Sequence, residues 1–247
     1  MRIDCLTLFP DMMRAVLEES IIGRAGKAGL LDIRYTNIRD FAENKHNRVD
    51  DTPYGGGMGM VMQAGPIYRA YQSVLDSAVK PPRVIYMSPQ GRVFNQEIAK
   101  ELSEEEHLVF LCGHYEGVDE RVLEELQAEE LSIGDYVLTG GEIPALAVID
   151  AVARMVPGVL PSEDAYSEES LYNGLLEYPQ YTRPPVFMGR EVPEILLSGH
   201  HENIKAWRRE ESIRRTAKKR PELLAQAELT DKEKALIEEL LQPVGKE

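Results

Sequence analysis

Short apolar segments alternate with helical segments over the first 155 residues, and this alternation constrains the fold more than any other feature. Strands are predicted at 2–8, 31–36, 84–88 and 108–112, with a mostly extended segment at 131–138. Helices are predicted between them, at 11–23, 67–79, 95–102, 119–126 and 143–155. A βα alternation of this kind predicts an α/β fold in which helices cover a parallel sheet.

The pattern changes after Val156-Pro157-Gly158. Residues 161–170 are polar and acidic without a clear period, which is typical of a flexible interdomain linker. Pro179, Pro184 and Pro185 keep the next stretch irregular, and from Glu202 onward the apolar positions recur at helical spacing. We therefore predict a first domain at 1–160, the linker at 161–175, and a smaller, mainly helical domain at 176–247.

Composition excludes several classes of protein. The two cysteines, Cys5 and Cys112, form no C-x-x-C pair, and the five histidines show no H-E-x-x-H spacing, so no protein-built metal site is predicted. No apolar run is long enough to span a membrane, and the N-terminus does not resemble a signal peptide. We expect a cytoplasmic protein without a membrane partner.

The formal net charge of −14 argues against nucleic acid as a partner, because phosphate binding needs lysine and arginine. The basic residues nevertheless cluster in one segment, where only Glu210 and Glu211 interrupt them: Lys205, Arg208, Arg209, Arg214, Arg215, Lys218, Lys219 and Arg220. A local basic face can bind RNA on an acidic chain. From charge alone, a solvated helix face is the favoured interpretation.

Three glycine-containing loops follow predicted strands, at 88–91, 112–117 and 132–142. Ligands of open α/β sheets bind at the carboxyl ends of strands, and glycine lets the backbone approach a ligand closely. For any single loop, ordinary turn chemistry is the favoured interpretation, but the three together favour one small-molecule site. No P-loop motif and no G-x-G-x-x-G after a strand is present, which disfavours the common nucleotide-binding classes.

The chain resembles the bacterial tRNA (guanine-N1)-methyltransferase family of the SPOUT superfamily, nearly from end to end. The motifs that carry the resemblance are Leu8-Phe9-Pro10, Lys45-His46-x-x-Val49-Asp50-Asp51-x-Pro53-Tyr54-Gly55-Gly56-Gly57, Cys112-Gly113-x-Tyr115-Glu116-Gly117-x-Asp119-x-Arg121, the run from Ser132 to Glu142, Arg154 before Pro157-Gly158-Val159-Leu160, Tyr181-Thr182-Arg183-Pro184 and Leu197-Ser198-Gly199.

The resemblance implies a deep trefoil knot in the first domain and a site for S-adenosylmethionine formed by the three loops. By motif position the cofactor pocket is lined by Tyr86, Ser88, Gln90, Gly113, Tyr115, Ile133, Gly134, Asp135, Tyr136, Val137, Leu138, Gly140 and Gly141. The implied reaction moves a methyl group to N1 of the guanine just 3′ of the anticodon, at tRNA position 37. The implied partners are the anticodon stem-loop of tRNA and a second copy of the chain.

Three residues are predicted to act in catalysis. Glu169 lies where the family usually has the aspartate proposed as general base, with Glu168 as an adjacent competitor. Arg154 is the candidate cation for charge developing on guanine O6. The resemblance also suggests that magnesium takes part, with Glu116 as a participant. Without the motif matches, Arg154 is explained by helix-dipole pairing and Glu169 by solvation.

Candidate RNA contacts are His46, Asn47, Arg208, Arg215 and Lys218. Two other functions stay open at this point. One is an RNA-binding module that keeps the fold but has lost activity, and intact Arg154 and cofactor loops argue against it. The other is a SPOUT enzyme that methylates ribose or ribosomal RNA, and the Lys45–Gly57 and Tyr181–Pro184 motifs argue against that.

Overall fold

Residues 1–162, 169–225 and 227–241 are described by the structure, a computed structural model. The chain divides into a first unit, Met1–Glu163, and a second unit, Asp164–Glu247. The strands of the first unit are β1 (Arg2–Thr7), β2 (Asp32–Asn37), β3 (Asp50–Asp51), β4 (Val61–Met62), β5 (Arg83–Val93), β6 (His107–Leu111) and β7 (Glu129–Ser132). Its helices are α1 (Pro10–Leu17), α2 (Ser20–Lys27), α3 (Ala64–Leu75), α4 (Gln96–Ser103), α5 (Glu120–Glu125) and α6 (Glu142–Ala153).

A five-stranded parallel sheet organises the first unit, in the order β2-β1-β6-β5-β7. All five residues of β6 are buried, because helices cover both faces of a parallel sheet and leave no strand face for polar side chains. The predicted α/β fold with a helix-covered parallel sheet is confirmed. The knot stays a prediction.

The predicted helix at 11–23 is wrong, since two helices occupy this segment. The first ends at Leu17, and Ser20 begins the second with a φ of 54°. A Cβ on Gly23 would overlap the backbone of Glu18, so α2 lies directly against the end of α1. Gly23 therefore marks this close approach within α2 rather than the end of one long helix.

The predicted extended segment at 131–138 is also wrong, because β7 ends at Ser132. The Ser132 hydroxyl accepts a hydrogen bond from the Gly134 N–H at 3.1 Å, and the Tyr136 N–H donates to the Gly134 carbonyl. Gly134 has a φ of 146°, which favours glycine. A serine-initiated turn thus replaces the strand and begins the third glycine-containing loop.

The first of the three loops is a bulge inside β5 rather than a connection after it. β5 pairs with β7 as far as Met87 and resumes pairing, with a shifted register, at Arg92. A Cβ on Gly91 would overlap the backbone of Glu130 and Leu131. The bulge lifts residues 88–91 out of the ladder at the carboxyl edge of the sheet.

The second unit is mainly helical around a small core. It contains a two-residue hairpin, β8 (Val186–Phe187) with β9 (Arg190–Glu191), and the helices α7 (Glu194–Leu197), α8 (His201–Lys219) and α9 (Asp231–Leu241). Leu175, which the sequence places at the end of the predicted linker, packs in this core with Ile213 and Ile237. No helix in the described ranges is both long and apolar enough to cross a membrane.

An ion pair joins α8 to the start of α9. Arg209 donates to Glu233 at 2.7 Å, and this hydrogen bond lowers the pKa of Glu233 from 4.5 to about 2. Glu233 also accepts from the N–H of Thr230, while Thr230 Oγ1 accepts from the N–H of Glu233, which forms a capping box. The Glu233 carboxylate therefore caps the start of α9 and also binds α8 through Arg209.

We expect Glu233→Gln to lower the free energy of unfolding by about 1–2 kcal/mol at pH 7. Because the folded-state pKa is depressed, this contribution is complete above pH 4.5 and is lost as the pH falls toward 2. Unfolding measured across this pH range checks it, with Glu238→Gln, on the exposed side of the same helix, as control. A loss of stability that stays constant down to pH 2 would contradict the assignment.

Candidate active site

A cavity of about 290 Å³ opens at the carboxyl edge of the parallel sheet. Its walls come from the β5 bulge, the loop after β6 and the loop between β7 and α6. Every residue predicted to bind the cofactor lines it except Asp135: Tyr86, Ser88, Gln90, Gly113, Tyr115, Ile133, Gly134, Tyr136, Val137, Leu138, Gly140 and Gly141. Residues separated by up to 55 positions in sequence, from Tyr86 to Gly141, thus meet at one place.

Backbone contacts hold the second and third loops together. The Gly141 N–H donates to the Gly113 carbonyl at 2.9 Å, and His114 and Gly140 form an antiparallel bridge. A Cβ on Gly141 would lie 2.7 Å from Cys112 Cα and 2.9 Å from Gly113 N. Only glycine allows the two loops to approach this closely.

We expect Gly141→Ala to weaken binding of S-adenosylhomocysteine about tenfold or more, because the added methyl group meets backbone that no side-chain movement can clear. Calorimetric titration measures the affinity, and thermal unfolding shows that the chain remains folded. Gly26→Ala is the control, since a Cβ there meets only the Leu31 carbonyl oxygen, at 3.9 Å. Equal affinity in both variants would show that the loop junction does not shape the cavity.

Burial determines the protonation of two groups at the cavity. Tyr86 is 8% exposed and its ring lies against Gly113. Desolvation raises the pKa of Tyr86, so its hydroxyl stays protonated and can donate a hydrogen bond. Burial likewise raises the pKa of the Cys112 thiol well above its usual value. Cys112 is therefore a packing residue and a poor nucleophile.

A buried polar network behind the cavity was missed from the sequence. Thr7 Oγ1 donates to Glu142 Oε1 at 2.6 Å, and Glu142 Oε2 lies 2.6 Å from His114 Nε2. A Cβ on Gly140 would overlap the His114 ring and approach the Glu142 carboxylate. Gly140 is thus required to make room for His114, whereas the sequence suggested close approach to the cofactor. A glutamate in the first turn of a mostly apolar helix was the available signal.

Glu116 joins the cavity to the glycine-rich segment 55–59. Its N–H donates to the Met60 carbonyl at 3.0 Å, and its carboxylate lies where a side chain on Gly59 would be. Glu116 also lines the cavity. No group of three or more histidine, cysteine or acidic side chains among the described residues could hold a metal ion.

Arg154 lies away from the cavity within the first unit. It directly follows α6, whereas the cavity lies at the beginning of this helix, near Gly140 and Gly141. A helix of this length spans about 18 Å. A single chain therefore does not place Arg154 in the wall of its own cavity.

Glu169 belongs to the second unit, where it lines a separate cavity of about 500 Å³ with Asn173, Lys205 and Arg208. Arg208 stacks on the Tyr178 ring, with 4.7 Å between the guanidinium carbon and the ring centroid. Glu168, its competitor in the sequence analysis, lies outside the described residues.

The basic segment of α8 divides into two groups. Arg209, Arg214 and Arg220 are each paired with a glutamate. The predicted RNA contacts Arg208, Arg215 and Lys218, and also Lys205 and Lys219, form no ion pair with any residue that the structure describes. Spacings of three, seven and four place Lys205, Arg208, Arg215 and Lys219 on one side of α8. His46 and Asn47 lie exposed on the loop before β3.

Comparison with known proteins shows the family to which the chain belongs. The model of the tRNA (guanine-1)-methyltransferase TrmD family matches residues 1–226. The tRNA (guanine-N(1)-)-methyltransferase of Ruminiclostridium cellulolyticum is 58% identical over 90% of this chain and 96% of its own. The proteins of the same name from Desulforamulus reducens and Brevibacillus brevis are 56% and 55% identical, over 97% and 98% of this chain and 95% and 99% of theirs. The chain belongs to the tRNA (guanine-1)-methyltransferase family.

Proposed function

We propose that this chain transfers a methyl group from S-adenosylmethionine to N1 of guanine 37 in tRNA. The observation that carries the proposal is the convergence of the family's motif positions on one cavity at the carboxyl edge of the sheet. Sheets of this type bind ligands at this edge. Family membership supplies the methyl-transfer chemistry, and the cavity supplies a place for the methyl donor.

The residues around the cavity fit a bound S-adenosylmethionine, which supplies an activated methyl group on a sulfonium. Gly113, Gly140 and Gly141 bring backbone N–H and C=O groups to the wall, and Tyr86 adds a protonated hydroxyl. Ile133, Val137 and Leu138 give apolar surface for a heteroaromatic ring. Apolar walls with a few fixed polar groups are typical of cofactor sites.

Two further residues are proposed to act on the guanine. Its N1 carries a proton at neutral pH and becomes nucleophilic as this proton leaves. A positioned carboxylate accelerates such a step by about 10²–10⁴-fold, and we assign this role to Glu169. Arg154 would stabilise negative charge on O6. The chain otherwise contributes in-line geometry between N1 and the methyl group.

We propose that the active unit is a homodimer. α1 buries Met13 and Leu17 against the sheet, yet its other side exposes Met12 and Val16. Together with Phe9 and Ile143, 46% and 49% exposed, these residues form an apolar patch that we call the α1/α6 surface. α6 is apolar on nearly all sides, and such helices are normally covered on all sides. A second copy would cover this surface and could bring Arg154 and Glu169 of different subunits together.

The RNA partner is proposed to be the anticodon stem-loop, where a base can be unstacked and presented. The basic residues of α8 that form no ion pair within the described part of the chain support this assignment, because lysine and arginine bind phosphates. His46 and Asn47 are proposed as additional contacts. A tRNA substrate is consistent with the cytoplasm as the place of action.

We propose that magnesium binds through a single protein carboxylate together with the RNA substrate. Mg²⁺ often keeps several waters and binds through one or two carboxylates together with substrate oxygens. Glu116 is the carboxylate assigned to this role, because it lies on the cavity wall beside the glycine-rich segment. The chain would hold the ion only together with its RNA substrate.

A methyl-transfer assay with unmodified tRNA tests the proposed function. Wild-type protein with labelled methyl donor is expected to label tRNA, and Gly141→Ala is expected to label it far more slowly at limiting cofactor. An RNA-binding module without activity would retain tRNA without labelling it. A SPOUT enzyme of another specificity would label ribosomal RNA or ribose instead.

A further inference from the structure

Two histidine–carboxylate pairs lie near opposite ends of the strands β1 and β6. At the amino ends, His107 Nε2 lies 2.7 Å from Asp4 Oδ2, and Arg2 also donates to both Asp4 oxygens. Beyond the carboxyl ends lies the second pair, His114 with Glu142, which Thr7 completes. The first pair is closed by Arg2 and remote from the cavity, whereas His114 lines the cavity wall. The two pairs therefore differ in what they can contact.

We propose that Glu142 is a positioning residue that fixes which nitrogen of His114 carries the proton, so that the other nitrogen, Nδ1, accepts a hydrogen bond from the 2-amino group of the target guanine. The inference rests on the proposed function. His114 would recognise the guanine base. This role differs from those of the residues proposed to bind the cofactor and to act at N1 and O6.

The direction of each hydrogen bond in the network follows from its neighbours. The Phe9 N–H donates to Thr7 Oγ1 at 2.9 Å, and the Thr7 hydroxyl donates to Glu142. Glu142 is 2% exposed at the start of α6, and its two oxygens face the Thr7 hydroxyl and the His114 ring. A carboxylate in this position accepts both hydrogen bonds. In that arrangement His114 Nε2 carries the proton, and Nδ1 of a neutral ring is an acceptor.

The ring of His114 is held on several sides. Phe9 packs against it with 5.0 Å between ring centroids, and the missing side chain of Gly140 leaves the space that it fills. No hydrogen bond to Nδ1 is formed by any residue that the structure describes. A single buried hydrogen bond contributes only modestly to stability. A fixed ring with an unused acceptor on a cavity wall is instead suited to recognition.

Only one group on the Watson–Crick edge of the target guanine remains to donate a hydrogen bond to His114 Nδ1. Under the proposed function, the N1 proton goes to Glu169 and O6 faces Arg154. The 2-amino group is the remaining donor on the Watson–Crick edge, and a donor left unpaired in a closed site weakens binding. His114 Nδ1 would satisfy it and would favour guanine over a base that lacks the group.

Two tRNAs that differ only in this amino group test the contact. Single-turnover methylation is measured on tRNA with guanosine or inosine at position 37. Wild-type protein is expected to prefer guanosine about tenfold. In His114→Gln, whose amide N–H still reaches Glu142, we expect the preference to fall to about one through slower reaction of guanosine. Both tRNAs are compared at saturating S-adenosylmethionine, so that a change in cofactor affinity does not alter the ratio.

Two further variants separate positioning from stability. In Glu142→Gln, the amide can present either N–H or C=O to the ring, so we expect a preference between those of wild type and His114→Gln. His107→Gln perturbs the other histidine–carboxylate pair, His107 with Asp4. We expect it to lower the stability of the protein while the preference for guanosine over inosine stays at the wild-type value. Nitrogen-15 spectra of histidine-labelled protein at pH 8 provide a readout independent of activity, and His114→Gln assigns the resonance. We expect the proton on Nε2.

A wild-type preference of about one, an unchanged preference in His114→Gln, or a proton on Nδ1 would each overturn the inference. Failure of the proposed function would look different. In that case wild-type protein would methylate neither tRNA at position 37.

Discussion

Glu169→Gln is expected to slow methyl transfer by about 10²–10⁴-fold in single-turnover assays. The amide keeps the shape of the side chain but cannot accept the N1 proton. Binding of S-adenosylhomocysteine should be unchanged, because Glu169 lies in the second unit and the cofactor cavity in the first. The loss should therefore appear in the rate and not in cofactor affinity.

Two control variants sharpen this test. Glu169→Asp keeps the carboxylate but shortens its reach by one methylene, so we expect partial activity. Glu168→Gln should have little effect. A rate for Glu169→Gln that rises toward normal at alkaline pH would agree with the role of the base, because N1 then loses its proton unaided. A normal rate at neutral pH would place the base elsewhere, with Glu168 or Asp50 as the next candidate.

Two inactive variants are expected to restore activity when their subunits are mixed. Arg154→Ala and Glu169→Gln should each be nearly inactive alone. If one active site takes Arg154 from one subunit and Glu169 from the other, each mixed dimer has one intact site. Random exchange would then give about a quarter of wild-type activity.

The α1/α6 surface provides the control for mixing. Val16→Glu adds a charge to an exposed apolar position, so it should give monomers in sedimentation while cofactor binding is kept. Restored activity should disappear when both chains carry this change. Mixed dimers that stay inactive would show that Arg154 and Glu169 act within the same subunit, and a fully active monomer would refute the dimer itself.

The parallel sheet and the cofactor loops were predictable because they depend on local pattern. β6 is apolar throughout after His107, Asn95 caps α4 through the N–H of Ile98, and Asp119 caps α5. Two of the three loops follow strands and the other is a bulge in β5, all at the carboxyl edge of the sheet, so their convergence follows from the parallel arrangement. Family motifs then indicated which of their residues face the cavity, and only Asp135 does not.

The remaining features depend on contacts between distant residues. The break between α1 and α2 comes from Gly23 lying against Glu18, and the end of β7 from the Ser132 turn. The Thr7–Glu142–His114 network joins residues up to 135 positions apart, and periodicity carries no information on such pairs. The sequence also could not show that Arg154 and the cavity lie at opposite ends of α6.

Mapping the methylated nucleotide tests the proposed reaction. Unmodified mixed tRNA is incubated with wild-type protein and S-adenosylmethionine, then digested and analysed by mass spectrometry. We expect 1-methylguanosine at position 37 and no other new modification, with the signal greatly reduced in Glu169→Gln. A methyl group on ribose, on another base or at another position, or no transfer by a protein that binds the cofactor, would contradict it.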